Sequence, residues 1–319
     1  KFKKENYSSY PFPFFEIENA YDEKTYSLLS KDYNLFHSFF KKDNRYSENN
    51  IRLQISSKEF LNNSLFTKSI WHDFVIYHSS KEFFLDLFEI FFEDMEKIYP
   101  AIVKIVENEK NNSNFLSLRD KENNEKYNFV SDCQPGINTP AKFKSTVRDS
   151  HVDNPVELLA GLFYLRDDED NSVGGDLEIM ENIEKKPVLF HNKAEVYNKN
   201  DLKVFKLIKY QKNKVVFFIN TKNSIHRVTP RESCELPRNL TNIIFETYNQ
   251  KDKLFKIKEE DFNIKYNIEE KLQSVADTWP DSLNCEKAKK EWSFSNKHDK
   301  KSFFMEYLIP TVKKYYGRH

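Results

Sequence analysis

Two histidines and one aspartate in this chain have the types and the spacing to bind a divalent metal. His151 and Asp153 are separated by one residue, and side chains two positions apart on an extended strand point to the same face. His226 lies much later in the chain and can add a second imidazole. Two histidines and a carboxylate occupy one face of an octahedral metal and leave the other positions free, a set suited to an Fe(II) that activates oxygen.

A His-x-Asp tripeptide is weak by itself, because most such residues are only hydrogen-bonded. The setting of His226 strengthens the interpretation. An apolar run over 215–219 predicts a buried strand, residues 220–224 predict a turn, and Arg238 follows just before another β-rich run. Burying an arginine in the core of a β domain costs free energy unless an anion pairs with it. Its forked guanidinium suits a carboxylate, so we expect Arg238, or alternatively Arg231, to bind the far carboxylate of a dicarboxylate cosubstrate.

Composition and charge exclude several classes of protein. The chain has 319 residues and 15% aromatics, enough for a large core. Lys+Arg and Asp+Glu balance at 50 each, which argues against a general nucleic-acid binder. No apolar stretch is long enough for a membrane span, and no signal peptide is recognisable. Cys133, Cys234 and Cys285 form no zinc-type pair and fit a reducing compartment, so we expect a cytoplasmic protein.

The N-terminal part of the chain reads as helical. Helices are predicted at 22–42 and at 80–98, and the second has a capping box formed by Ser79 and Glu82. Residues 107–128 have no apolar period and are predicted to form a loop.

From residue 129 the pattern changes to short β-rich runs separated by turns. They occupy residues 158–165, 176–180, 204–208, 215–219 and 242–247. Gly174 and Gly175 are expected to adopt positive φ before one of these strands. Such a pattern favours a sandwich or jelly roll, and no glycine-rich nucleotide-binding signature is present. We therefore predict a helical support region at 1–128, a β core at 129–250 and a helical appendage at 251–319.

Four ordered segments resemble the 2-oxoglutarate/Fe(II)-dependent oxygenase superfamily, and in particular its prolyl-4-hydroxylase-like branch. They are residues 146–155, 162–165, 174–178 and 224–230, the last followed by Arg238. The resemblance implies a mainly β fold with flanking helices (α+β), built on a double-stranded β-helix, the jelly roll also found in cupins. It also implies a dioxygenase that hydroxylates an unactivated C–H bond and releases succinate and CO₂. The implied cofactors are Fe(II), 2-oxoglutarate and O₂, with ascorbate as a stimulant.

The resemblance assigns His151, Asp153 and His226 to iron and Arg238 to 2-oxoglutarate. Related halogenases lack the carboxylate at the position of Asp153, so its presence favours hydroxylation or another oxidation.

Other polar residues near these segments have two interpretations each. Tyr164 can hydrogen-bond the cosubstrate or serve as a core residue. Arg148 would face away from the metal on a regular strand and form a structural ion pair, whereas a bulge would turn it towards the substrate. Gln134 and Asn220 are weaker substrate candidates. The 30–75 and 181–203 regions are expected to shape the substrate pocket.

The C-terminal segment carries a second, weaker resemblance. Residues 274–282 and 288–292 are similar to the tail of extended short-chain dehydrogenases and sugar epimerases, without the nucleotide-binding half. On that basis we expect a small-molecule substrate, a saccharide or sugar conjugate, and a contact for oligomers through this segment. The alternatives are an amino acid or peptidyl side chain as substrate, a non-catalytic metal-binding, cupin-like sugar-binding or sensor module, and an interaction protein with a degenerate site.

Overall fold

The predicted helical and β-rich regions are both present in the computed structural model, which describes residues 4–120, 122, 124–183, 201–248 and 254. All of these lie in one compact unit, Lys1–Asp261. The predicted appendage, apart from Leu254, its resemblance to dehydrogenase tails and Cys285 lie outside the described residues, and the predicted three-part division remains a prediction.

The α-helices precede the long strands. Within the described ranges they are α1 (Glu23–Asp32), α2 (Asn34–Phe40), α3 (Ser57–Leu61), α4 (Ile70–His78), α5 (Lys81–Ile90), α6 (Phe92–Ile98) and α7 (Pro100–Glu109). No helix in these ranges has the length and apolar character needed to cross a membrane.

The strands of the described residues span the chain from its start to residue 246. They are β1 (Tyr7–Ser8), β2 (Phe14–Glu18), β3 (Arg52–Gln54), β4 (Leu116–Leu118), β5 (Phe129–Asn138), β6 (Glu157–Tyr164), β7 (Leu177–Asn182), β8 (Leu202–Ile208), β9 (Lys214–Ile219), β10 (His226–Val228) and β11 (Arg238–Glu246).

Two sheets form from these strands. Across the described part of the chain, the larger sheet has the order β1-β2-β9-β6-β11-β5-β3, with β4 beside β5, and the smaller sheet has the order β10-β7-β8. Neighbours are antiparallel except for β4 and β5. The predicted α+β class with a double-stranded β-helix core is confirmed.

Each face of the larger sheet has its own apolar core. The outer face packs against the helices, where Phe84, Leu87 and Phe88 of α5 are buried at the three- and four-residue spacing that the sequence shows. The inner face packs against the smaller sheet through a second cluster that includes Phe218 and Ile179. The metal-binding candidates lie beside this second cluster, because the ring of His226 contacts Phe218 at 4.9 Å between centroids.

The helix predicted at 80–98 is wrong in two details. It is two helices, because the chain leaves helical geometry at Phe91 (φ −94°, ψ 3°). Its N-cap is Ser80, whose hydroxyl accepts a hydrogen bond from the Phe83 amide, and not Ser79. The Ser79 hydroxyl is hydrogen-bonded to Ser57 instead, a tertiary contact that the local sequence does not encode.

The loop predicted at 107–128 is also wrong in part. Helix α7 extends to Glu109, and β4 pairs in parallel with the start of β5. The strand β5 itself was not predicted, although all of its residues are buried. Its Pro135-Gly136 pair interrupts the β pattern in the sequence, whereas in the fold β5 is hydrogen-bonded on both sides.

Candidate metal centre

A two-residue bridge between chain segments brings the first and second histidines together. His151 and His226 donate backbone hydrogen bonds to each other's carbonyls, both at 3.0 Å. Since β10 begins at His226 and pairs with β7, the segment 151–153 lies at the border of the smaller sheet. This bridge places the two imidazole rings 4.3 Å apart, measured between centroids.

The third candidate ligand lies between the two rings. Nε2 of His151 is 3.6 Å from Oδ1 of Asp153, and Nε2 of His226 is 3.6 Å from Oδ2 of the same carboxylate. One donor atom from each residue lies within 4.8 Å of the others, and all three residues are buried. The sequence-predicted set therefore converges on one point, as an ion with three protein ligands requires.

Backbone carbonyls fix which nitrogen of each ring faces that point. Nδ1 of His151 donates to the carbonyl of Asp149 at 2.6 Å, and Nδ1 of His226 donates to the carbonyl of Ser224 at 2.9 Å. Each Nε2 is thus left with a lone pair directed at the centre. Nε2 of His151 is buried and has no hydrogen-bond partner. A metal ion would satisfy this orphaned acceptor, so the residues present fit a divalent ion.

The protonation states also suit a metal. Burial, with the neighbouring His226, lowers the pKa of His151 to about 3, and burial also lowers the pKa of His226. Burial alone would raise the pKa of Asp153, but both histidines and Arg148 hold it well below its usual range. Neutral imidazoles and an ionised carboxylate are the forms that bind metals.

Arg238 lies on the same side of the larger sheet as the triad, at the start of β11, and is 1% exposed. One of its amino groups donates to Oδ1 of Asn138 at 3.0 Å. The guanidinium carbon lies 4.9 Å from the ring centre of Tyr164 and 4.8 Å from that of Tyr210. Nε of Arg238 and the hydroxyl of Tyr164 are buried without a partner. This pair of orphaned donors is suited to one carboxylate.

Arg231, the alternative arginine, has both amino groups in use, although its Nε is also buried without a partner. Its two amino groups donate to Oδ1 of Asn50, to the carbonyls of Thr139 and Leu236, and to the sulfur of Cys234. These contacts tie the loop before β11 to the segments beside it, whereas the Arg238 side chain donates only the hydrogen bond to Asn138 among the described residues.

Two adjacent glycines let the chain pass close to both arginines. Gly174 and Gly175 have φ of +87° and +79°, as predicted. A Cβ on Gly175 would lie 3.0 Å from Cδ of Arg238, and a Cβ on Gly174 would collide with the carbonyl of Pro230. The turn therefore needs glycine for its conformation and for space.

Arg148 faces the metal centre, contrary to the expectation for a regular strand. Its guanidinium donates to Oδ1 of Asp153 at 3.3 Å, because the segment before His151 is a loop and not a strand.

The two weaker substrate candidates are placed differently. The side chain of Gln134 accepts from Gln54 at 2.7 Å and donates to Asp132 at 2.6 Å on the inner face of β5. Asn220 is fully buried and donates to the carbonyls of Asn154 and Glu157. It stabilises the turn after β9 and does not reach the centre.

Sequence reasoning missed three residues near the centre: Arg52, Asn138 and Tyr210. The alternation of apolar and polar residues over 51–55 could have indicated a strand that places Arg52 and Gln54 on one face. Nothing local to Asn138 or Tyr210 marks them, since both act through contacts with Arg238.

No family model matches the sequence, and no curated protein matches it. A solved structure of prolyl 4-hydroxylases from Phytophthora capsici is 14% identical with a TM-score of 0.39, covering 75% of this chain and 60% of its own. A Pseudomonas putida prolyl-4-hydroxylase is 10% identical with a TM-score of 0.37, covering 74% and 92%.

A third solved structure is a prolyl hydroxylase from Trichoplax adhaerens in complex with a peptide fragment of hypoxia inducible factor. It is 12% identical with a TM-score of 0.38, covering 73% of this chain and 83% of its own. All three TM-scores are below 0.5, so no residue role follows from the likeness.

Proposed function

We propose that this protein is an Fe(II)/2-oxoglutarate-dependent oxygenase that hydroxylates an unactivated C–H bond. The observation that supports the proposal best is the convergence of His151, Asp153 and His226, with the Nε2 of His151 buried and unpartnered. A second set of orphaned groups, on Arg238 and Tyr164, lies on the inner face of the larger sheet. Three protein ligands and a separate carboxylate clamp are what this chemistry requires of the protein.

Each residue has a defined task in this proposal. His151, Asp153 and His226 hold the metal, and Arg148 orients the carboxylate of Asp153 through its hydrogen bond. Arg238 binds the far carboxylate of 2-oxoglutarate, with its guanidinium packed against two tyrosine rings. Bound Fe(II) supplies the activation of O₂, coupled to the conversion of 2-oxoglutarate into succinate and CO₂. The buried surroundings of the triad keep bulk water away.

The alternative of a non-catalytic, metal-binding module is less well supported by the contacts of Arg238. A sugar-binding or sensor domain would use the three ligands but would have no use for a buried arginine with a free donor. An unpaired buried charge is costly, and a cosubstrate carboxylate gives Arg238 a partner.

The class of substrate remains a prediction. The saccharide interpretation came from residues 274–292, which lie outside the described part of the chain. An amino acid or a peptidyl side chain, including a prolyl group, is an equal candidate. Cytoplasmic location, stimulation by ascorbate and an oligomer contact through the C-terminal segment also remain predictions from the sequence.

A spectroscopic titration tests the proposal. Fe(II) and 2-oxoglutarate are added to the protein without oxygen, and we expect a weak visible charge-transfer band. Exposure to O₂ should then yield succinate. His151→Ala should abolish both the band and the succinate, whereas His72→Ala, at a partly exposed histidine of α4, should change neither. A wild-type protein that gives no band and no succinate would rule the oxygenase out.

A further inference from the structure

A second arginine shares the inner face of the larger sheet with Arg238. Asn138 of β5 pairs with Arg238 of β11 on one side and with Arg52 of β3 on the other. Residues paired in this way lie in one row across the sheet, with side chains on the same face. The neighbours of Arg52 on β3 confirm the orientation, because Leu53 and Ile55 are buried in the core on the opposite, helix-covered face.

Arg52 has no partner among the described residues. It forms no ion pair or hydrogen bond there, and its Nε atom is buried and orphaned. Burial, together with the positive charges of Arg148 and Arg238, lowers the pKa of Arg52 to about 10. The guanidinium therefore stays charged at neutral pH in a place where other cations repel it. Asp153 attracts the guanidinium without forming an ion pair or hydrogen bond with it, so an anion in direct contact is the partner that this arrangement lacks.

The charges of the proposed site do not balance when iron and cosubstrate are bound. Arg52, Arg148 and Arg238 together with a divalent ion face the carboxylate of Asp153 and the two carboxylates of 2-oxoglutarate. Within this set of groups, two positive charges are left unmatched. Glu157 does not offset them as a carboxylate, because burial and the nearby Asp153 and Glu246 raise its pKa well above the ordinary value.

The solvent exposure of the inward-facing side chains increases from Arg238 towards β3. Gln54, the next inward residue on β3, is exposed, Arg52 is partly exposed, and Arg238 is buried. The face therefore opens to solvent at β3, an edge strand of the larger sheet. A molecule that enters from this edge contacts Arg52 before it reaches the cosubstrate site at Arg238.

We propose that the organic substrate carries an oxyanion, a carboxylate or a phosphate, and that Arg52 binds it. This inference rests on the proposed function and narrows its substrate to acidic compounds. Arg52 lies in the 30–75 region expected to shape the substrate pocket, and a neutral sugar or an uncharged peptide segment would leave its guanidinium without a counter-charge.

The test uses Zn(II) in place of Fe(II), so that no turnover occurs. The full chain is loaded with Zn(II) and 2-oxoglutarate, and the affinity of each is recorded. Inorganic phosphate and acetate are then titrated in separate arms, by equilibrium dialysis of labelled anion. We expect saturable binding of at least one anion, weakened tenfold or more by Arg52→Gln and partly restored by Arg52→Lys. The stronger arm identifies phosphate or carboxylate. Arg45→Gln, at an exposed arginine, should bind as the wild type does.

Three results would overturn the inference while the proposed function stands. Wild-type protein could bind Zn(II) and 2-oxoglutarate but no further anion, or Arg52→Gln could bind the anion as tightly as wild type. Arg52→Gln could also weaken 2-oxoglutarate as strongly as Arg238→Gln does, which would assign Arg52 to the cosubstrate. Failure of wild-type protein to bind Zn(II) or 2-oxoglutarate is a different result and removes the proposed function itself. Thermal unfolding of each variant checks that it is folded.

Discussion

Arg148 donates a hydrogen bond to Oδ1 of Asp153 at 3.3 Å, so the one carboxylate between the two histidines is held from outside the metal centre. Outer partners of this kind orient a ligand, and their loss weakens metal binding by roughly 10–100-fold. We therefore predict that Arg148→Gln lowers the affinity for Zn(II) or Fe(II) by about that factor. A competitive titration against a coloured chelator measures it.

The variant Arg148→Lys separates charge from geometry. A lysine keeps the positive charge but lacks the planar fork, so we expect an affinity between those of the wild type and Arg148→Gln. Equal metal affinity in all three proteins would show that Asp153 is positioned without Arg148.

Removal of the Arg238 guanidinium should weaken 2-oxoglutarate without changing metal affinity. A hydrogen bond to a charged group contributes on the order of 2 kcal/mol, which corresponds to roughly 30-fold in the dissociation constant. Arg238→Gln is therefore predicted to raise the 2-oxoglutarate dissociation constant by at least that factor, measured by calorimetry on Zn(II)-loaded protein. Arg231→Gln is the matched comparison, since it should reduce stability through its lost loop contacts and leave 2-oxoglutarate affinity unchanged. The reverse outcome would make Arg231 the anchor.

Acid should destabilise the fold through a histidine far from the metal centre. His78 at the end of α4 lies between the Phe74 carbonyl, 2.7 Å from Nδ1, and the Tyr21 hydroxyl, 2.6 Å from Nε2. Burial lowers its pKa to about 4, below the ordinary value of about 6.5. The unfolded chain therefore binds more protons between these values. Stability from this group is complete above pH 6.5 and is lost as the pH falls towards 4.

The size of this effect can be measured by urea unfolding at pH 7 and pH 4.5. Wild type should lose on the order of 2–3 kcal/mol more than His78→Gln over this interval. The variant starts less stable at pH 7, so the quantity to compare is the change with pH. An equal loss of stability in both proteins would show that folding does not lower the pKa of His78.

The fold class and the shared face of His151 and Asp153 were predictable because their signals are local in the sequence. The short β runs with intervening turns indicated a sandwich or jelly roll, and the one-residue spacing of His151 and Asp153 indicated a shared face. The adjacent glycines 174 and 175 likewise predicted positive φ, and both residues adopt it. Each of these features depends on backbone geometry over a few residues.

Other features depend on tertiary contacts and could not be predicted in the same way. The pair Pro135-Gly136 predicts a break in the chain, yet β5 passes through it and pairs with β11 on one side and β3 on the other. The direction of Arg148 was left open between two interpretations, and it faces Asp153 because the segment before His151 is a loop. Arg52 approaches Arg238 only because both strands pair with β5, a relationship between residues that are remote in the sequence.

The two glycines at 174 and 175 allow a last prediction, because an added methyl group would meet different neighbours at each position. At Gly174 the neighbour is the carbonyl of Pro230, rigid backbone that cannot move away. At Gly175 the nearest atoms belong to the side chains of Arg238 and Arg231, at 3.0 to 3.3 Å. Both positions have positive φ, which costs an L-residue about 1–3 kcal/mol.

Gly174→Ala is therefore expected to lose more stability than Gly175→Ala, because the backbone collision adds to the same conformational cost. Gly175→Ala should instead weaken 2-oxoglutarate binding, since its methyl group displaces the Arg238 side chain. Urea unfolding and calorimetry with 2-oxoglutarate on the Zn(II)-loaded variants measure the two effects separately. A Gly175→Ala protein with wild-type cosubstrate affinity would contradict the link, because the arginine would then bind the carboxylate from a position that does not depend on this turn.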